Sequence, residues 1–233
     1  MKKTMIALLL VLTLLFSACS SAKSDAQPTE EPEQEVETSA AEPTVEIGDE
    51  ENDEEFVKLG AVDGYTYTND FLGYGCTLDG WVFATQEEIA ELNNIVIDSA
   101  NTEELQDMLR NSEAIMDMYA VREDGMANVN INFQNLNMLF GRMLTEEMFR
   151  DQTYPQMQSS MEGMGMTNVK VEKVMIEIDG TEHPGLFVSS EKNGVPLFQR
   201  QACVKCNGYI AGITVSTFGE DTTEAVFDLF YHL

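Results

Sequence analysis

The chain has 233 residues and a formal net charge of −28, which is divided unevenly along its length. Residues 20–56 hold 14 acidic side chains against one lysine, whereas residues 57–233 hold 27 acidic and ten basic ones. This charge argues against nucleic acid, whose phosphates are held by Lys and Arg, and against direct docking on an anionic membrane face. We expect residues 57–233 to form a single domain, which is long enough to bury roughly 70% of the surface of its unfolded chain.

The first 18 residues have the pattern of an export signal. Lys2 and Lys3 precede an apolar run that is too short to span a bilayer, which needs about 20 apolar residues. The following Ser17-Ala18-Cys19 makes the segment resemble a bacterial lipoprotein signal. The resemblance implies cleavage before Cys19, a diacylglyceryl group on its thiol, and a lipid anchor at the extracytoplasmic face of the cell membrane. Plain secretion or an uncleaved anchor is the alternative.

The segment 19–56 follows as an acidic tether, rich in Glu, Pro, Ser, Thr and Ala. High net charge combined with low hydrophobicity predicts disorder, and its prolines favour extended backbone. We interpret it as a spacer between the membrane and the domain. The alternative is a weak cation-binding run at residues 49–55.

The first elements of the domain are predicted strands at 65–68 and 71–78, separated by a turn. Thr85 then opens a helical pattern in which Ile89, Leu92 and Val96 share one face. A second helical segment begins at Thr102. A strand at 116–121 completes this part of the chain.

The next strand, residues 128–133, alternates between two kinds of side chain. Val129, Ile131 and Phe133 face one way, and Asn128, Asn130 and Asn132 face the other. Thr145 caps a third helix over residues 146–163. Pro155 lies inside it and predicts a kink or a break near residues 153–154.

Residues 169–217 are predicted to form an antiparallel meander of three or four strands. Its turns are marked by Asp179-Gly180, Asn193-Gly194 and Asn207-Gly208. A two-residue turn at 207–208 pairs Val204 with Ala211 and Ala202 with Ile213. The apolar residues change phase near 172–173, which predicts either a β-bulge there or two strands. Asp221 to Glu224 has the spacing of a capping box for a closing helix that carries Val226, Phe227 and Phe230.

This order of elements predicts an α+β fold, with an antiparallel β-sheet meander packed against helices. Several short motifs also resemble the PsbP-like domain over roughly residues 64–233. They are Tyr67-x-Asn69, Leu78-Asp79-Gly80-Trp81, Asp117-Met118-Tyr119-Ala120, Asn128-Val129-Asn130-Ile131, and Phe198-Gln199 leading into Asn207-Gly208-Tyr209. The resemblance implies an α/β/α sandwich and a binding or assembly factor, and it identifies no ligand.

The polar strand face at Asn128, Asn130 and Asn132 is the candidate ligand site. It is either the solvated face of a half-covered sheet or a polar cleft for a glycan, a peptide or a peptidoglycan fragment. Three other groups could form sites: Cys203 and Cys206 as a zinc or redox pair, the methionines at 157–166 as a Cu(I) trap, and the aromatic residues at 65–81 as a platform. We interpret these three as ordinary structural residues. No metal or other cofactor is predicted.

The sequence contains none of the motifs of a nucleophile elbow, a zinc protease, a phosphate-binding loop or an EF-hand. We therefore expect no enzymatic activity and interpret the protein as a lipoprotein with a non-catalytic binding or assembly module. Its partners would be the membrane, through the lipid on Cys19, and an unknown envelope protein or polar ligand. The alternatives are a small-ligand or cation-binding lipoprotein that serves a transporter, and a cell-wall-acting hydrolase.

Overall fold

The computed structural model describes residues 57–93, 109, 111–136 and 143–233. The predicted signal, the tether and the lipid anchor on Cys19 lie outside the described residues. So does the helical segment predicted from Thr102, of which only Leu109 is described.

The strands of the described residues form two sheets in which every pairing is antiparallel. The smaller sheet has the order β1-β2-β3-β11, with strands β1 (Ala61–Asp63), β2 (Thr66–Asn69), β3 (Tyr74–Thr77) and β11 (Phe230–His232). The larger sheet has the order β4-β5-β6-β10-β9-β8-β7, with strands β4 (Trp81–Phe83), β5 (Ala114–Arg122), β6 (Ala127–Asn135), β7 (Thr167–Ile178), β8 (Thr181–Lys192), β9 (Val195–Cys206) and β10 (Tyr209–Phe218).

Three helices accompany the sheets in the described ranges: α1 (Gln86–Leu92), α2 (Glu146–Gly163) and α3 (Thr223–Phe227). Helices α1 and α2 pack on one face of the large sheet. The small sheet and α3 pack on the other face, where Phe71 meets Phe133 edge to face with ring centroids 5.6 Å apart. The predicted α+β class with an antiparallel sheet is therefore correct.

The three predicted hairpin turns of the meander are all present. Each consists of two residues with positive φ, for example Asn207 at 38° and Gly208 at 82°, as a type I′ turn requires. The register is the predicted one, with Val204 opposite Ala211 and Ala202 opposite Ile213. The meander has four strands, β7 to β10.

The change of phase in β7 has a different cause from the predicted bulge or strand break at 172–173. The strand is continuous, and its pairing with β8 is regular from Lys170 to Ile178, with the irregularity between Thr167 and Lys170. Val169 and Val171 pack under α2, whereas Val174 and Ile176 join the core on the opposite face. The sheet is covered on both sides, so successive parts of one strand can be apolar on opposite faces.

Two helix predictions need correction. Of the kink or break predicted near Pro155, the break does not occur, because α2 is one continuous helix from Glu146 to Gly163. The capping box predicted at Asp221 does not form, because Thr222 is the N-cap and makes no side-chain capping bond. The closing helix ends at Phe227, and Phe230 belongs to β11, which extends in order to pair with β3.

The second predicted N-terminal strand is shorter than expected, whereas the first keeps its four residues and is displaced by one position. The segment assigned to a strand at 71–78 is a strand only from Tyr74 to Thr77, because Phe71 to Gly73 form a turn. Strands β1, β4 and β11 were not predicted. Each has three residues, which is too short for an alternating pattern to be visible in the sequence.

Candidate functional site

Six polar side chains form two rows across the middle of the large sheet, on the face that carries α1 and α2. In the first row Asn128 of β6 pairs with Ser216 of β10, which pairs in turn with Gln199 of β9. The second row contains Asn130, Thr214 and Gln201 in the same order. We call these six residues the polar cluster. With a strand spacing of about 4.8 Å and about 6.6 Å between alternate residues, it covers about 10 Å by 7 Å.

All members of the polar cluster are buried, which corrects the expectation of a solvated strand face. Asn128 and Gln199 are 0% exposed, and the remaining members are at most 3% exposed. Asn132, the third predicted site residue, continues the same face of β6 and is 7% exposed. The structure therefore brings together all three predicted asparagines, together with side chains from two further strands.

Each amide of the polar cluster that forms a hydrogen bond uses only its oxygen or only its nitrogen, and its other polar atom has no partner within the described structure. Gln201 Nε2 donates to Thr214 Oγ1 at 3.1 Å, and Ser216 Oγ donates to Gln199 Oε1 at 3.3 Å. Asn132 Nδ2 donates to Asn130 Oδ1 at 2.7 Å. Neither end of the Asn128 amide forms a hydrogen bond with any residue that the structure describes.

Seven buried polar atoms in and beside the polar cluster have no hydrogen-bond partner within the described structure. They are Asn128 Oδ1 and Nδ2, Asn130 Nδ2, Gln199 Nε2, Gln201 Oε1, and the neighbouring Gln134 Nε2 and Tyr119 Oη. A buried polar group left without a partner costs about 1–3 kcal/mol. Seven would cost about 7–20 kcal/mol, as much as the whole net stability of a typical domain, about 5–15 kcal/mol.

Apolar side chains border the polar cluster on two sides. Towards β5, Ile89 of α1 packs against Met116 and Tyr119. Towards β8, Met157 and Met161 of α2 pack over Leu186, Val188 and Leu197. The face is thus apolar beneath each helix and polar between the two helices.

The polar cluster is electrically neutral. It contains only amide and hydroxyl side chains, and burial raises the pKa of the adjacent Tyr119 to about 12, so its phenol stays protonated. These groups can donate and accept hydrogen bonds, but they do not exchange protons at neutral pH. The arrangement suits recognition rather than acid–base chemistry.

A second polar group lies on the opposite face of the sheet, around Asp117. Its carboxylate accepts hydrogen bonds from the Gly60 backbone N–H at 2.6 Å, from Asn69 Nδ2 at 2.8 Å and from the Tyr67 hydroxyl. Asp117 lies at the irregularity of β5 between Met116 and Met118, which turns its side chain towards the small sheet. Burial raises the pKa of this carboxyl group, against the effect of its three donors. Because every carboxylate contact is internal, we assign this group a structural role.

A third group connects the two histidines with the start of α2. Tyr74 Oη lies 3.0 Å from His183 Nε2, and the ring of His232 packs against Tyr74 with centroids 4.3 Å apart. Glu146 Oε1 accepts the Lys205 backbone N–H at 2.6 Å and lies 3.4 Å from His183 Nδ1. At that last separation the two atoms form no hydrogen bond, and His183 Nδ1 has no hydrogen-bond partner within the described structure. Glu146 binds where the pairing of β8 with β9 has ended, so it anchors the start of α2 to the sheet.

The remaining candidates from the sequence are structural. Cys203 and Cys206 point to opposite faces of β9, as their spacing predicts, and both are free thiols. Burial raises the pKa of each to about 12. Met157 and Met161 of α2, and Met166 just after it, are buried against the large sheet. Of the aromatic residues at 65–81, only Tyr65 is exposed to any large extent.

Gln199, Gln201, Thr214 and Ser216 were missed as site residues, although the sequence contained the signal for them. The register predicted for the last hairpin places Gln201 opposite Thr214 and Gln199 opposite Ser216, on the face away from the core. No sequence pattern placed β6 beside β10, which is the pairing that joins these side chains to the asparagines.

Two further properties of the described residues bear on function. Among them, no three His, Cys, Asp or Glu side chains are placed to hold a metal ion. None of the helices within the described ranges has the length and apolar character needed to cross a membrane.

Comparisons with known proteins found little. No protein-family model matches the chain, and no curated protein matches it. Among solved structures, it is similar to LpqN of Mycobacterium tuberculosis, described as involved in cell envelope biogenesis, at 10% identity and a TM-score of 0.31. That similarity covers 51% of this chain and 73% of LpqN. At this TM-score the similarity carries no argument, and the PsbP-like resemblance stays a prediction.

Proposed function

We propose that this protein is an envelope lipoprotein whose domain is a non-catalytic binding module, and that the polar cluster is its ligand site. One observation carries the proposal: seven buried polar atoms on one patch of sheet lack partners within the described structure. The energetic cost of that arrangement is removed when a bound molecule supplies the missing hydrogen bonds. Few domains could retain such a cost without a function for it.

The chemistry of the site supports binding without catalysis. The polar cluster contains no carboxylate, imidazole or thiol. Its neighbours Tyr119 and Cys203, on the same face of the described sheet, stay neutral because burial raises the pKa of each to about 12. The Glu146–His183–Tyr74 group could relay protons, but Tyr74 and His183 are buried and packed against each other and against structural neighbours.

The cellular setting of the proposal comes from the sequence. The signal-like segment before Cys19 supports a lipid anchor and an extracytoplasmic position, and the acidic segment to residue 56 supports a spacer that holds the domain off the membrane. An antiparallel sheet with helices on one face and a small sheet with α3 on the other agrees in part with the α/β/α sandwich of a PsbP-like domain. We keep that family assignment as part of the proposal.

The test is retention of a small molecule by the full chain. The protein is incubated with the dialysable fraction of a bacterial envelope digest and examined by native mass spectrometry. The wild type should retain a discrete adduct, and Gln199→Leu should lose it. Gln156→Leu, which changes an exposed glutamine of α2, is the matched control and should retain it. An adduct that survives Gln199→Leu, or no adduct on the wild type, would contradict the proposal.

A further inference from the structure

We propose that the outer edge of β7, the side away from β8, is a self-association surface on which a second copy of this chain adds its own β7 in antiparallel orientation. The large sheets of the two copies then continue as one sheet across a two-fold axis at Met175. This surface is separate from the polar cluster, and the inference does not depend on the ligand site proposed there.

The two edges of the large sheet differ in length. In the part of the chain that the structure describes, the sheet ends at β4 on one side and at β7 on the other. Strand β4 has three residues, whereas β7 has twelve, most of them exposed. A long edge strand presents a row of unpaired main-chain N–H and C=O groups with which another strand can pair. Strand β7 is therefore the edge at which a further strand can be added.

The hairpin turn after β7 determines which of its main-chain groups point outwards. The two-residue turn at Asp179-Gly180 makes Ile178 and Thr181 a hydrogen-bonded pair. Pairing with β8 is regular from Lys170 to Ile178, so the even-numbered residues bond to β8. The odd-numbered residues from 171 to 177 direct their N–H and C=O groups outwards, where a second β7 can bond to them.

The charges of β7 are complementary to those of a second β7. The strand carries two lysines and two glutamates, namely Lys170, Lys173, Glu172 and Glu177. An edge protected by repulsion would carry a single sign of charge. When Met175 lies opposite Met175 of the second copy, Lys173 of each copy lies opposite Glu177 of the other. Registers centred on Glu172 or Lys173 place like charges opposite each other, and a register centred on Val174 forms no pair of opposite charges.

The geometry of the strand also favours the register centred on Met175. It pairs residues 172–178 of both copies, all within the regular part of β7. A register centred on Val171 also pairs opposite charges, but it uses the irregular start of the strand before Lys170. In the favoured register the pair at Met175 and the two Lys–Glu pairs exchange about six main-chain hydrogen bonds.

Side chains on β7 gain from this pairing. Met175 is 49% exposed, and its counterpart in the second copy covers it. Glu177 lies opposite Glu182 of β8, so the two carboxylates repel each other in the single chain. Lys173 of the second copy approaches this pair and relieves the repulsion.

The contact is small, because only seven residues of each copy pair. It lies below the size of a standard protein–protein interface, so the dimer is weak in dilute solution and is favoured where copies are concentrated. The proposed lipid anchor would concentrate them on a membrane.

The register is tested by disulfide cross-linking of the full chain under mild oxidation. In the proposed dimer the two Met175 Cα atoms lie about 5.5 Å apart, within the range of a disulfide, about 4.4–6.8 Å. Met175→Cys should therefore form a covalent dimer. Glu177→Cys is the matched control, because this exposed position lies about 14 Å from its counterpart along the strands and should not cross-link. Both variants carry Cys19→Ser, so that the tether contributes no thiol. No cross-link at position 175, or equal cross-linking at both positions, would overturn the proposal.

The charge pairing is tested by sedimentation equilibrium of the full chain at up to about 1 mM, which covers weak dimers. The wild type should dimerise reversibly, and Glu177→Lys, which places like charges opposite each other, should weaken the dimer about tenfold. Adding Lys173→Glu to that variant restores opposite charges and should restore the dimer. Glu91→Lys, an equal change of charge at an exposed residue of α1, is the control and should leave the dimer unchanged. A wild type that stays monomeric, a dimer that Glu177→Lys leaves intact, or a double variant that is not rescued would each overturn the proposal.

Discussion

Replacing Asn128 by Leu should make the ligand-free protein more stable. Asn128 is 0% exposed, and neither its Oδ1 nor its Nδ2 has a hydrogen-bond partner within the described structure. Leu has the same number of side-chain heavy atoms and the same branch point at Cγ. The substitution therefore removes two unsatisfied polar atoms while filling nearly the same space.

The expected size of the effect follows from those two atoms. Each unsatisfied group costs about 1–3 kcal/mol, so removing both stabilises the protein. The tetrahedral Cγ of Leu is bulkier than the planar amide carbon, and the resulting overpacking costs about 1–3 kcal/mol, which offsets part of that gain. We expect the free energy of unfolding to rise by about 2 kcal/mol. For a domain of this size, each kcal/mol moves Tm by about 2–4 °C, so Tm should rise by about 4–8 °C.

The assay is urea and thermal unfolding of the full chain, refolded from denaturant so that no ligand remains. Asn69→Leu is the matched control, because Asn69 is also buried but fully bonded, with Nδ2 donating to Lys58 O and Asp117, and Oδ1 accepting from the Leu72 N–H. That control should lose more than about 2 kcal/mol. If Asn128→Leu destabilises the protein as Asn69→Leu does, Asn128 is bonded in the free protein and the argument for the site fails.

Three further outcomes are expected. Tyr67→Phe should lower the free energy of unfolding by about 1.5–3 kcal/mol at neutral pH, because it removes a donor to the Asp117 carboxylate, whereas Tyr65→Phe, on an exposed ring, should change it by less than about 0.5 kcal/mol. Because burial raises the pKa of Asp117, ionisation of this carboxyl group lowers the free energy of unfolding as pH rises above about 4. The destabilisation caused by Tyr67→Phe should therefore shrink as pH falls below about 4 and the carboxyl group becomes protonated. A destabilisation that is independent of pH would contradict this account. Thiols whose pKa is raised to about 12 should resist iodoacetamide at about pH 8 until the protein is denatured, and rapid alkylation of the native protein would contradict the raised pKa; they are the buried Cys76 and Cys203 and the half-buried Cys206. Cys19→Ser should move the protein from the membrane to the soluble fraction, with loss of acyl mass by mass spectrometry, and an unchanged membrane fraction would exclude the lipid anchor.

The parts of the fold that depend on local signals could be predicted from the sequence. Asn207-Gly208 determines a two-residue turn, and with it the register that places Gln201 opposite Thr214. The alternation of Asn128, Asn130 and Asn132 correctly placed these side chains on one face. Thr145 marks the start of α2, because its hydroxyl accepts the Met148 N–H at 3.2 Å.

The parts that depend on distant contacts could not be predicted. A polar face on one strand is normally the solvated one, so the alternation along β6 could not show that its asparagines are buried. The pairing of β6 with β10 joins residues about eighty positions apart and leaves no local pattern. The same holds for Asp117, whose partners Gly60, Tyr67 and Asn69 come from segments fifty or so residues earlier in the chain.

The Asp117 junction also determines how the domain would respond to a mechanical load. The Gly60 N–H bonds to Asp117 and the Lys58 carbonyl bonds to Asn69, so the first described residues are clamped directly onto the body of the domain. Tension entering from the N-terminal side reaches these two bonds before it reaches the short β1–β2 pairing at the sheet margin. The polar cluster lies on the opposite face of the large sheet, and a pull that separates β1 from β2 would leave the contacts of the cluster unchanged.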